Sequence, residues 1–138
     1  MKKIIFLLMV LIIIILSSCS SNNNVLKYYS DPENYVTAVG TVTHIKYNEE
    51  NNTLYLGIDQ LTPEFSDNSF KIVGDNLTIL KSNGIDQKMN IGQQIEFMSA
   101  PRYFGDGYVM PIVAIAINGE TLLNFDQGYE NLIEWLSS

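Results

Sequence analysis

The chain has one cysteine, Cys19, so no disulfide can form among the residues that follow it, and whatever they fold into is held by packing alone. The position of that cysteine is itself informative. Lys2 and Lys3 precede thirteen consecutive apolar residues, Ile4 to Leu16. As a helix such a run reaches about 20 Å, short of the roughly 30 Å hydrocarbon core of a bilayer, so it suits the apolar region of a cleaved signal peptide better than a permanent span.

The next four residues, Leu16-Ser17-Ser18-Cys19, resemble the lipobox of bacterial lipoproteins, in which an aliphatic residue and two small ones precede the cysteine. The resemblance covers residues 1–19 only. It implies diacylglycerol transfer to the Cys19 thiol, cleavage before Cys19, and a chain lipid-anchored on the extracytoplasmic face of the cell membrane. One acyl chain holds a protein only marginally, at about 0.8 kcal/mol per buried methylene, whereas the two or three chains implied here give stable anchoring. The alternative is an ordinary signal peptide or an uncleaved anchor with an incidental cysteine. On this reading residues 1–18 are the signal peptide, 19–27 the lipidated cysteine and a flexible tether rich in Ser and Asn, and 28–138 a single domain.

Charge narrows the partners. Without residues 1–18 the chain has six basic residues against fifteen acidic ones, a net charge of −9 with His44 neutral. Such a surface repels phosphate backbones and anionic headgroups, which argues against nucleic-acid binding and against electrostatic adhesion to lipid.

Five strands can be read after residue 34. The run Tyr35–Ile45 is rich in β-branched residues, with Gly40 at its middle marking a bulge or bend. Leu54, Leu56 and Ile58 alternate onto one face of a second strand, joined to the first by a hairpin. Phe70–Val73 is a third, Ile95 and Phe97 define a half-buried fourth, and Tyr108–Ile117 is apolar on both faces and therefore central or doubly covered. Between the third and fourth, a short helix runs from a cap at Asp75 to a left-handed stop at Asn83-Gly84, with Leu77 and Leu80 on one face. Asn118-Gly119 is a hairpin turn into Glu120–Leu123. Tyr129, Leu132, Ile133 and Leu136 then give a C-terminal amphipathic helix after Asp126, in which Gly128 is a mild cost and Trp135 packs on the sheet or closes the barrel.

Three strands, a short helix and two strands, with the run Val39-Gly40-Thr41-Val42 in the first, resemble the OB fold. The resemblance spans about residues 35–117 and rests on the order of elements. It implies a mainly β, small OB-like barrel with one short internal helix. It also implies a ligand face across strands two and three, flanked by the loops joining strands one to two and four to five. Carried over by position, that face presents Tyr55, Asp59 and Lys71, and the loops add Tyr47, Arg102, Tyr103, Phe104 and Tyr108. Arg102 beside aromatics in Pro101–Tyr108 suits stacking on a planar ligand or anchoring a partner surface; inward packing of the same rings is the competing reading.

Other chemistry is thinly supported. Asp59, Glu64 and Asp67, or Glu49 and Glu50 among asparagines, supply oxygen ligands but match no calcium-loop spacing, and a solvated acidic face accounts for them. His44 stands alone in a strand, which favours a structural role over a catalytic or zinc one. Two Asn-x-Thr triplets, at Asn51 and Asn76, are set aside because the lipobox is bacterial. No nucleophile-elbow, phosphate-loop or HExxH motif is present. The sequence therefore predicts a lipid-anchored binding module with no cofactor and no catalytic activity, contacting the membrane through Cys19 and recognising an envelope protein or small ligand. A small envelope hydrolase or metal-assisted enzyme, and a structural or immunity-type blocking lipoprotein, are the alternatives.

Overall fold

The computed structural model describes residues 24–102 and 109–138. Residues 24–29 are helical (α1) and lead through a 3-10 turn at Pro32–Asn34, capped by the Asp31 carboxylate, into the sheet. The strands are β1 (Val36–Asn48), β2 (Thr53–Thr62), β3 (Ser69–Val73), β4 (Gln94–Ser99), β5 (Met110–Ile117) and β6 (Glu120–Leu123). β1 pairs antiparallel with both β2 and β4, β2 with β3, and β4 with β5. A parallel contact of β3 with β5, through Phe70–Met110 and Lys71–Pro111, closes the ring in the order β1-β2-β3-β5-β4. The molecule is thus the mainly β, OB-like barrel that the order of elements predicted, with β6 added as a hairpin on β5.

Closure depends on a long, bent first strand. β1 pairs with β4 over Val36–Thr41 and with β2 from Val39 onward, and its register against β2 slips twice, between Val39 and Thr41 and between Val42 and His44. Such slips bend a strand and raise its twist, which a barrel corner requires. Gly40 sits at this corner because the strands approach closely. A Cβ there would stand 2.5 Å from Ile58 Cγ2 and 2.9 Å from Leu61 Cδ2.

Inward residues fill the barrel. Val42, Leu54, Leu56, Ile58, Phe70, Ile72, Ile95, Phe97, Ile112 and Ile115 form one continuous core, with Phe70 and Phe97 edge to face at 4.9 Å. Between β3 and β4 the chain makes two short helices where the sequence predicted one: α2 (Asp75–Ser82) and α3 (Ile85–Lys88). Their Leu77, Leu80 and Ile85 join the same core. Gly84, at φ +81°, is the left-handed stop expected, but the cap of α2 is Gly74, at φ +57°, and Asp75 is already inside the first turn. Asp75 there still complements the helix dipole.

A second cluster lies outside the barrel. Tyr29, Tyr35, Val73, Ala100, Val113 and Leu132 are buried together where the C-terminal helix α4 (Phe125–Ser137) lies over the outer side of β5 and the chain leaving α1 is bonded to it through Tyr129 and Ser30. α4 begins one residue before the predicted Asp126, with the Asn124 side chain accepting from the Gln127 amide. Gly128 is no mere propensity cost: a Cβ there would fall 1.7 Å from the Val113 carbonyl oxygen, so glycine is what lets the helix touch the strand. Asn76 of α2 fastens the contact, donating to the Gly128 carbonyl at 2.9 Å and accepting from Asn131 at 3.0 Å. At 1% exposure, Asn76 is a buried helix residue and no loop acceptor for glycosylation. Among the described residues, no helix is long and apolar enough to cross a membrane.

Candidate functional site

The outer surface of β1, β2 and β3 carries the residues that the OB-like order pointed to, and one rung organises them. Lys46 of β1 lies opposite Tyr55 of β2, and Tyr55 opposite Lys71 of β3. These three side chains therefore share the outward face, since the interleaved Leu54 and Leu56 point into the barrel. Lys46 is exposed and Tyr55 half-buried. His44 is exposed on the same face opposite Gly57, where a Cβ would stand 3.0 Å from both His44 Cβ and Thr43 Oγ1, so the surface is low at that point.

The third member of the rung differs. Lys71 is only 9% exposed, and its Nζ lies 5.7 Å from the centre of the Trp135 ring of α4. Trp135, whose Cδ1 would stand 3.0 Å from a Cβ on Gly74, covers this edge of the face and is itself 40% exposed. The sequence placed Lys71 on an open ligand surface. In the fold it is the boundary between a face left open, on β1 and β2, and one roofed by α4.

Two further residues, Tyr47 and Arg102, lie elsewhere. Tyr47, expected on a flanking loop, ends β1 and packs against the barrel core; its hydroxyl donates to Asp86 at 2.5 Å and Lys81 Nζ sits 5.3 Å above its ring. Burial, and next the hydrogen bond to Asp86, push its hydroxyl well above the ordinary tyrosine range. Tyr47 thus closes a barrel end and stays off the open face. Arg102 is exposed, with its guanidinium 4.8 Å from the centre of the Tyr28 ring and its carbonyl accepting from the buried Tyr29 hydroxyl at 2.8 Å. It ties the end of the barrel to α1, away from Tyr55. Cys19, Tyr103, Phe104 and Tyr108 lie outside the described residues.

Asp59, Glu64 and Asp67 border one depression at the β2–β3 loop. Asp59 accepts from Asn68 Nδ2 at 2.6 Å and Asp67 from the Asn68 amide at 2.7 Å, so both serve to order the β2–β3 loop. Among the described residues, no three His, Cys, Asp or Glu side chains are grouped to hold a metal ion.

Sequence reasoning missed one feature. A shallow apolar furrow of about 250 Å³ runs along the outside of β4, β5 and β6, lined by Thr37, Met98, Ala114, Ala116, Thr121 and Phe125. Ala114 and Ala116 read as ordinary members of an apolar strand; only the pairing of β6 beside them shows that small outward residues there leave a trough. Comparison of the chain with protein-family models, with curated proteins and with solved structures finds no match.

Proposed function

We propose that the protein is a lipid-anchored, extracytoplasmic binding module without catalytic activity, which engages an envelope protein or small ligand through the outer face of β1 and β2. The anchor reading comes from Leu16-Ser17-Ser18-Cys19 after the apolar run. The observation that carries the binding reading is the Lys46–Tyr55 pair: a cation and a half-buried tyrosine, side by side on a part of the barrel where, among the described residues, Lys46 stays exposed. Tyrosine supplies a rigid ring with a polar tip, which suits a partner surface. Lys46 is one of only six cations on a chain of net charge −9 once residues 1–18 are removed, so it favours a partner that presents a carboxylate or another anion.

The test is capture from membranes. Full-length protein extracted in mild detergent retains a co-purifying component, and the double variant Lys46→Ala, Tyr55→Ala loses it while melting within a few degrees of wild type. Equal recovery by the variant would refute the assignment of this face.

A further inference from the structure

The furrow on the outside of β4, β5 and β6 is built by two rungs of the sheet. Thr37 of β1 lies opposite Met98 of β4, and Met98 opposite Ala114 of β5; one step along, Val39, Glu96, Ala116 and Thr121 lie opposite one another in that order. The interleaved Ala38, Phe97 and Ile115 belong to the barrel core, so both rungs face outward. Ala114 and Ala116 form a low floor, and Phe125 of α4 closes one end. At the other end the furrow runs into a polar depression that shares Glu96, Ala116 and Thr121 with it and adds Gln93, Gln94 and Asn118.

Shape and charge narrow what fits. Gln94 and Met98 are four positions apart on β4, so the combined trough is roughly 13 Å long, and its shallowness suits an extended chain better than a compact ligand. The apolar end has room for an aliphatic side chain, while the amides of Gln93, Gln94 and Asn118 can bond a peptide backbone. Glu96 is the one charged residue among those lining either part. It is exposed, and among the described residues no ion pair or hydrogen bond engages its carboxylate. A second copy docked trough to trough would bring two Glu96 carboxylates into one interface with no cation lining it, on molecules that each have a net charge of −9 once residues 1–18 are removed. An anionic ligand meets the same repulsion. A partner that brings a cation does not.

We infer that this trough is a second binding surface, which takes an extended segment of a protein partner with an aliphatic side chain over Ala114 beside Met98 and a lysine or arginine two residues away against Glu96. Side chains on one face of an extended segment are about 7 Å apart, which is the spacing of Met98 and Glu96 along β4. The surface shares β1 with the Lys46–Tyr55 face but lies on the other side of the bend at Gly40, and it requires neither that face nor the lipid on Cys19.

The experiment titrates the full chain, held in phosphatidylcholine nanodiscs, into three fluorescently tagged peptides in which one serine separates a leucine from lysine, glutamine or glutamate, with empty discs as the blank. By fluorescence polarisation the lysine peptide is expected to bind roughly three- to fivefold tighter than the glutamine peptide, the size of an exposed ion pair, and the glutamate peptide weakest of all. Glu96→Gln should remove that preference at an unchanged melting temperature. Ala116→Trp, at an outward position, should fill the floor and weaken all three peptides at least tenfold, whereas Lys46→Ala with Tyr55→Ala should leave them as they are. If Ala116→Trp melts far below wild type, the Glu96→Gln comparison alone decides. No binding of the lysine peptide by the folded wild-type chain, or an unchanged preference in Glu96→Gln, overturns the inference. So does dimerisation of the full chain that Ala116→Trp abolishes, which would give the trough to a second copy.

Discussion

The outer surface of this barrel has two halves built from similar strands and treated oppositely. On β3 and β5, Val73 and Val113 are buried in one cluster with Tyr29 of α1, Tyr35 and Leu132 of α4. Over β1 and β2, Lys46 and His44 are exposed and Tyr55 is half-exposed. The covered half shows where α1 and α4 bury their apolar side chains. A barrel of this size buries limited surface in its interior, and two terminal helices extend it. The open half is the face proposed above for binding.

Breaking each half in turn sharpens the contrast. Phe97→Ala, which empties the barrel interior beside Phe70, is expected to destabilise the domain by about 3–5 kcal/mol in urea unfolding, the largest effect foreseen. Gly128→Ala drives a methyl into the Val113 carbonyl and should cost roughly 3 kcal/mol as α4 lifts from β5, lowering the melting temperature by more than ten degrees or so. If Gly128→Ala were neutral, the roof over β5 would not be the tight contact described. Asn76→Ala removes a buried side chain that satisfies the Gly128 carbonyl and the Asn131 amide, and is expected to cost about 2 kcal/mol by the same measurement.

Alkaline pH probes the covered half through Tyr29 and Tyr35, beside the contribution of Tyr47 at the barrel end. Burial, by desolvation, raises the Tyr29 and Tyr35 hydroxyls above the ordinary tyrosine value of about 10. Above pH 10 the unfolded chain releases these protons while the folded chain holds them, so the unfolded state binds fewer protons and stability falls as pH rises. The melting temperature should therefore be insensitive to these groups below pH 10 and decline above it, and Tyr29→Phe with Tyr35→Phe should flatten that decline. The smallest effect on stability belongs to the open half: Tyr55→Ala and Lys46→Ala should each change it by about 0.5 kcal/mol or less.

The barrel was legible in the sequence because its signals are local. Alternation of Leu54, Leu56 and Ile58, the pair Ile95 and Phe97, and the glycine in the middle of β1 each report a strand or bend to anyone reading ten residues at a time. The roof was not, because its determinants act across the chain. Gly128 looks like a weak helix residue until Val113, far away in sequence, is brought against it. Lys71 alternates like an exposed strand residue, and only the arrival of Trp135 explains its burial. Asn76 reads as a polar surface residue or a glycosylation triplet, whereas its two hydrogen bonds go to α4. Tyr47 reads as a loop residue because it opens a polar run that suggests an early turn; the strand runs three residues past Ile45, to Asn48, and α3 supplies Asp86 as its partner. The candidate site was legible to the same extent: the face followed from strand order, but how much of it stays open depended on where the terminal helices came to rest.

The most direct test of the open half is photo-crosslinking in intact cells from position 55, with position 134 on the exposed side of α4 as the comparison. A discrete adduct from position 55 with none from 134 is the result this account predicts. Adducts of equal strength from both positions, or from 134 alone, would contradict the assignment of the β1–β2 face as the binding surface.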